Sequence, residues 1–239
     1  MTSYYSDASQ IRYARLAGVM YLLVDAAYLT FALITARFRA PGDFTQTAQR
    51  VAESGLLYRV GLSSGLVASL CIVFLSIGLY IVVKPINSQV ALLALVFRLL
   101  EATFVGGQAV LALVVSRLYI GADFLNAFDE KQLSLFVTLH ATADQIVFNS
   151  LGVFFGLGST LFFYLLFQSN YIPKPLAGWG LLGSVLVPIS CLGSLVWPQH
   201  AETLQLGWAP IGLAEVVVGL WLAIKGVNLQ VSTRRDQGR

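Results

Sequence analysis

The chain has 239 residues with a net charge of +3, 57% of them hydrophobic and 11% charged, where a soluble domain carries roughly 25% charged residues. That balance excludes a soluble protein with a large core and points to a polytopic membrane protein. No basic run interleaves with aromatic residues, so nucleic-acid binding has no support.

A membrane-spanning helix needs about 20 mainly apolar residues, and six segments qualify: Leu16–Ala36, Ala52–Val83, Val90–Leu118, Leu133–Phe167, Pro175–Trp197 and Trp208–Val227. Arg12 and Arg15 precede the first run as in a signal peptide. At about 20 residues, however, the run exceeds the roughly 7–15 of a signal core, and "TARFRAPGD" offers no small-x-small cleavage site. It reads as a retained first helix. The second and fourth segments exceed one crossing and predict tilt or a helical extension into the interface. Turn chemistry marks the breaks at "RAPGD", "KPINS", "NYIPKP" and "VWPQH". Continuous apolar runs without period-two alternation predict helices rather than barrel strands. The expected fold is therefore all-α, a single six-helix transmembrane domain over residues 1–239 with short tails. Cys71 and Cys191 both fall in apolar spans and read as small buried hydrophobes, not as a disulfide framework.

Lys and Arg in short loops set orientation. With the N-terminus in the cytoplasm, the inner segments hold eight basic residues: Arg12, Arg15, Lys84, Lys174, Lys225, Arg234, Arg235 and Arg239. Asp7 and Asp236 are their acids. The outer segments hold five basic residues, Arg37, Arg39, Arg50, Arg117 and Lys131, beside Asp43, Glu53, Asp123, Asp129, Glu130 and Glu202. The bias predicts both termini inside. Tyr4, Tyr5, Tyr13, Tyr80, Tyr119, Tyr171, Trp197 and Trp208 fall near helix ends, where aromatic rings anchor at headgroup depth. Gly152–Gly156, and Gly107–Leu111 beside Gly106, have the small-residue spacing that lets helices approach.

Seven ionisable side chains lie inside the spans: Asp25, Arg59, Arg98, Glu101, His140, Asp144 and Glu215. A charge at the bilayer centre costs about 2.5–3.5 kcal/mol on insertion scales, so these groups are expected to face the bundle interior and to pair. At about 1.5 Å per residue, Asp25, Arg59, Gln108, His140, Asp144 and Glu215 fall about 10–17 Å below the outer boundary, one layer of the outer half. Arg98 and Glu101 lie deeper. Arg98 and Glu101 are i,i+3 and Gln108 is two turns on; His140 and Asp144 are i,i+4, as are Gln145 and Asn149. The third and fourth helices thus each present a polar stripe. The stripes are expected to face each other, with Arg59 and Glu215 closing the sides. All eight residues are candidate ligand-pocket positions. Four carboxylates against two arginines sum to −2 with His140 neutral, so a proton, an imidazolium or a bound cation must compensate. The alternative is an internal Arg98–Glu101 pair that only fixes helix packing; a buried pair is weak evidence for stability.

No cofactor or metal is implied. A zinc site wants several His or Cys ligands, and only His140 lies in the membrane, with His200 in an outer loop. Ser134 and Ser150 flank His140 and Asp144, but no nucleophile elbow is present. There is no haem-attachment or Walker motif. "GVFFGLGS" lies inside a helix and reads as a packing surface.

The stretches "RLAGVMYLL" (15–23), "LYRVGLSSGL" (57–66), "GLYIVVKPINSQVALLALVFRLLEA" (78–102), "LFFYLLFQSNYIPKPLAGWGLLG" (161–183) and "AEVVVGLWLAIKGVN" (214–228) resemble the bacterial membrane family catalogued as domain of unknown function 4386. The likeness covers nearly the whole chain. It implies a helical protein of a bacterial-type inner membrane and brings no activity, substrate or cofactor. Three functional readings follow. The first is a protein of the lipid bilayer that binds a small-molecule or lipid-like ligand, as a transporter or sensor. The second is an intramembrane enzyme with His140 and Asp144 as an acid–base pair acting on a lipid. The third is an assembly subunit whose buried charges are structural. Paired mid-helix Gly/Pro breaks are not evident, which disfavours a transporter; Pro188 is the exception.

Overall fold

The first helix of this computed structural model, α1 (Asp7–Phe38), has Asp7 in its first turn and Arg37 in its last, the signs that suit the helix dipole. Residues 7–38, 44–120 and 128–229 are described. Tyr4, Tyr5 and the charges Arg39, Asp43, Asp123, Arg234, Arg235, Asp236 and Arg239 lie outside them. The buried positions Ala14, Ala17, Gly18, Tyr21, Val24 and Ala27 follow the three-and-four spacing of one helical face.

The segment expected as one long helix from Ala52 is two. A short amphipathic helix, α2 (Phe44–Glu53), buries Thr47 and Val51 one turn apart and keeps Arg50 outward. At Ser54 the backbone leaves helical geometry (φ −142°, ψ 44°), and α3 (Gly55–Val83) begins. The polar run "TQTAQRVAE" cannot sit among acyl chains, so the chain turns at Ser54 instead of extending α3. Pro85 and Asn87 separate α3 from α4 (Ser88–Ile120). The Asn87 side chain accepts from the Gln89 and Val90 N–H groups, each at 3.1 Å, and so caps α4.

The fourth span is the expected long helix, α5 (Glu130–Ser169, 40 residues). A capping box starts it: Gln132 N–H donates to Asp129 Oδ1 at 2.8 Å, and Asp129 N–H donates to Gln132 Oε1 at 3.0 Å. Asn170, in the left-handed region (φ 58°), ends it. Helix α6 (Lys174–Val196) runs unbroken through Pro188. The Pro188 ring sits directly over Gly156 of α5, where any side chain would collide with it. Gly152 similarly admits Cys191 and Trp208, so the Gly152–Gly156 spacing does bring α5 and α6 close. Gly107 meets no neighbour and makes no such approach, while Gly106 lies over Ser69. Short helical turns, with α7 (Ala201–Leu204) among them, lead to α8 (Ala209–Lys225).

Six of these helices are long and apolar enough to cross a membrane, and the described residues contain no strand. Large apolar side chains coat the outside, among them Leu56 at 72%, Leu182 at 71% and Ile224 at 70% exposure. Water would not tolerate so continuous an apolar surface; acyl chains would. The protein is therefore a multi-pass membrane protein. The long helices pack in the order α1, α3, α4, α5, α6, α8, and α8 returns to α1, closing a ring. Gly226 lies beside Ile11, and Asn228 N–H donates to Tyr171 C=O at 3.0 Å, so the described chain ends meet at one end of the ring. A large apolar core fills that end, from Ala14, Ala17 and Tyr21 through Leu75–Val83, Phe155–Leu166 and Val218–Leu222. Both free cysteines are buried.

Candidate functional site

Next to this core, on the side away from the chain ends, four helices of the ring enclose a cavity of about 280 Å³. Helix α1 contributes Val24, Asp25 and Tyr28, α4 contributes Arg98 and Glu101, and α5 contributes Phe148, Leu151 and Phe155. Trp208 leads into α8, which adds Ile211, Gly212 and Glu215. On α4 and α5 the spacing is three, four or seven residues, and on α1 and α8 an adjacent pair is followed by a residue three or four on, so one side of each helix supplies its wall.

Arg98 organises the site. It is 2% exposed. Its Nη1 lies 2.9 Å from Glu101 Oε2 and donates to Ser159 Oγ at 3.2 Å. Its guanidinium carbon stands 4.9 Å from the centre of the Phe155 ring, and Phe155 stacks on Trp208 at 5.1 Å. A Cβ on Gly158 would lie 2.8 Å from Arg98 Cγ, so a glycine is what leaves room for the arginine stem. Glu215 is 7% exposed and its Oε1 has no hydrogen-bond partner; neither do Asp25 Oδ2 and Arg98 Nε. Three carboxylates therefore surround one guanidinium, a formal sum of −2 for the cavity-lining groups when all are ionised.

Of the eight candidate positions, Asp25, Arg98, Glu101 and Glu215 line this cavity. Gln108 and Asp144 form a second tier, about 10 Å further along α4 than Glu101. There Gln108 Nε2 donates to Asp144 Oδ1 at 2.8 Å, joining α4 to α5. The expected stripes of the third and fourth spans meet at Gln108–Asp144, whereas Arg98 meets α5 at Ser159, outside the expected stripe. His140 is half-buried one turn beyond Asp144 and does not line the cavity. The single polar layer expected from helix depth is in fact two tiers, because Asp25 and Glu215 sit level with Arg98, not with Asp144.

Arg59 is exposed and closes no side of the cavity. Its neighbour Tyr58 carries the inward face, stacking edge-on with Phe38 at 5.2 Å and Tyr119 at 6.3 Å. One residue on is about 100° around the helix, which turns Arg59 away from that face. Trp208 departs from its expected place as well. It is a wall of the cavity, packed 5.3 Å from Phe148 as well as on Phe155. Tyr171 is buried in the α5–α6 turn, whereas Trp197 stays 56% exposed.

With this geometry established, comparison with known proteins finds one family model, Domain of unknown function (DUF4386), matching residues 16–226. The chain belongs to the DUF4386 family. Neither a curated protein nor a solved structure matches it. The DUF4386 match contains the whole cavity and both polar tiers. In this DUF4386 chain, charge singles out four wall residues and passes over Tyr28, Phe148, Phe155, Trp208, Gly212 and Ser159. Their signal is helical phase: Tyr28 is i+3 from Asp25, Gly212 is i−3 from Glu215, and Phe148, Leu151 and Phe155 share one face of α5. Trp208 has no such signal, because short turns precede α8.

Proposed function

We propose that this membrane protein holds a small-molecule or lipid-like ligand in the cavity between α1, α4, α5 and α8. The observation that carries the reading is the charge imbalance around Arg98. An ion pair that only fixes helix packing needs one carboxylate. Here three are gathered, and two of them keep an oxygen without a partner at the cavity wall. Buried polar atoms are normally satisfied, and those that are not often mark a place for something else. Of the transporter and sensor forms, the sensor form is favoured, because α6 passes Pro188 without the break that transporter helices commonly show. The chain is read as one domain in a bacterial-type inner membrane with both termini cytoplasmic, on the excess of Lys and Arg at that end.

Gly212 lines the cavity, and a Cβ there meets nothing within 4 Å. Gly212→Phe therefore has room at its Cβ for a ring that competes with whatever the cavity holds. Native mass spectrometry of the protein released from lipid nanodiscs should show a bound species in the natural chain and lose it in Gly212→Phe. A natural chain that flies bare under lipid-retaining conditions would refute the reading.

A further inference from the structure

We infer that the ligand is an organic cation, an ammonium group carried on an apolar body; this rests on the cavity being a ligand site at all. Charge is the first ground. Arg98 is the one cationic side chain on the wall among the described residues, facing Asp25, Glu101 and Glu215. Its Nη1 already serves Glu101 and Ser159, and its face already covers Phe155. Its Nε has no partner, but it is a single donor among three carboxylates. Asp25 Oδ2 and Glu215 Oε1, in contrast, are free acceptors on adjacent helices.

The rest of the wall is the second ground. Phe148, Trp208 and Tyr28 line the same cavity as those carboxylates. Ring faces combined with carboxylates are a usual way to recognise an alkylammonium, whose diffuse charge is only weakly hydrated. A metal ion would need a tighter cage. Among the described residues no group of three or more His, Cys, Asp or Glu is arranged to hold one. The cavity, at about 280 Å³, is just under the roughly 300–1,000 Å³ of ligand pockets, which sets the ligand's buried part at one small ring or a short branched chain.

The test uses three probes on the detergent-purified full chain: phenyltrimethylammonium, its neutral isostere tert-butylbenzene, and the related anion 4-tert-butylbenzoate. Apparent affinities are read from the rise in unfolding temperature with probe concentration. The cation is expected to bind at least about tenfold more tightly than the neutral probe, the scale of a desolvated cation–π contact. Glu215→Gln and Asp25→Asn, checked by circular dichroism and elution profile, should each erase most of that preference while keeping neutral-probe binding. Should either fail to fold, Tyr28→Leu tests the aromatic contribution. Asp144→Asn, in the other tier, should change nothing. Equal binding of the neutral probe, or tighter binding of the anion, would overturn the cation assignment and leave the ligand site standing. No binding by any probe would overturn it too; the bound mass described above then decides the fate of the site separately. Repeating the titration in phosphatidylglycerol nanodiscs with and without phosphatidylethanolamine separates the sources. Competition by the added lipid assigns the ammonium to a headgroup, and its absence assigns it to a free amine; both support the inference.

Discussion

Removing Arg98 and removing its partner Glu101 should have very different consequences. Arg98→Met leaves Asp25, Glu101 and Glu215 facing one another without a cation on the wall. Stripping one partner from a buried pair costs about 3–5 kcal/mol. Glu101→Gln keeps an oxygen near Nη1, where the carboxylate now stands at 2.9 Å, and leaves Asp25 and Glu215 to balance the guanidinium. What is lost is the charge of one ion-pair partner whose oxygen makes no hydrogen bond, about 1 kcal/mol while two other carboxylates remain. At about 2–4 °C per kcal/mol for a chain of this size, Arg98→Met should lower the unfolding midpoint by about 6–20 °C and Glu101→Gln by about 2–4 °C. Intrinsic fluorescence during thermal unfolding in lipid nanodiscs reads both. The double variant Arg98→Met/Glu101→Leu should stay destabilised, because Asp25 and Glu215 remain. Equal losses for the two single variants, or recovery in the double, would refute the picture of one guanidinium shared by three carboxylates and favour a plain packing pair.

Three further perturbations follow from the same geometry. Gln108→Leu removes the donor to Asp144 Oδ1 and should cost about 1–3 kcal/mol in the same unfolding assay, without changing what occupies the cavity. Gly158→Ala pushes a methyl group against the Arg98 stem; it should cost about 1–3 kcal/mol and also lower the amount of copurified ligand by native mass spectrometry. Arg59→Gln, on the exposed face of α3, should stay within about 0.5 kcal/mol of the natural chain and leave the bound species unchanged.

The helical architecture was legible in the sequence because membrane helices announce themselves by length and apolarity alone. Individual places were legible where a local rule applied. The turn chemistry of "KPINS" separated the second and third spans, and the i,i+3 spacing of Arg98 and Glu101 already put them within reach of each other. Asp25 and Glu215 were visible as buried charges, but their joining Arg98 was not, because it depends on the ring closing α8 onto α1. Depth counted in residues from an assumed boundary misled at both ends of the problem. It grouped Asp25 with Asp144, when tilt and helix length put Asp25 beside Arg98. It also counted Arg59 as interior, though a difference of one residue turns Tyr58 inward and Arg59 outward. The break at Ser54 was missed because the span was counted back past Glu53 to Ala52. Trp208 was misplaced because a Trp at a helix end usually seeks the headgroups, and only the close approach of α5 and α6 at Gly152 makes room for it inside.

The most direct test of the central claim is an experimental density map of the natural chain in lipid nanodiscs, at a resolution that shows side chains. Asp25, Arg98, Glu101 and Glu215 should surround one chamber that contains non-protein density in contact with Asp25 or Glu215. An empty chamber, or those four side chains turned toward the acyl chains, would contradict it.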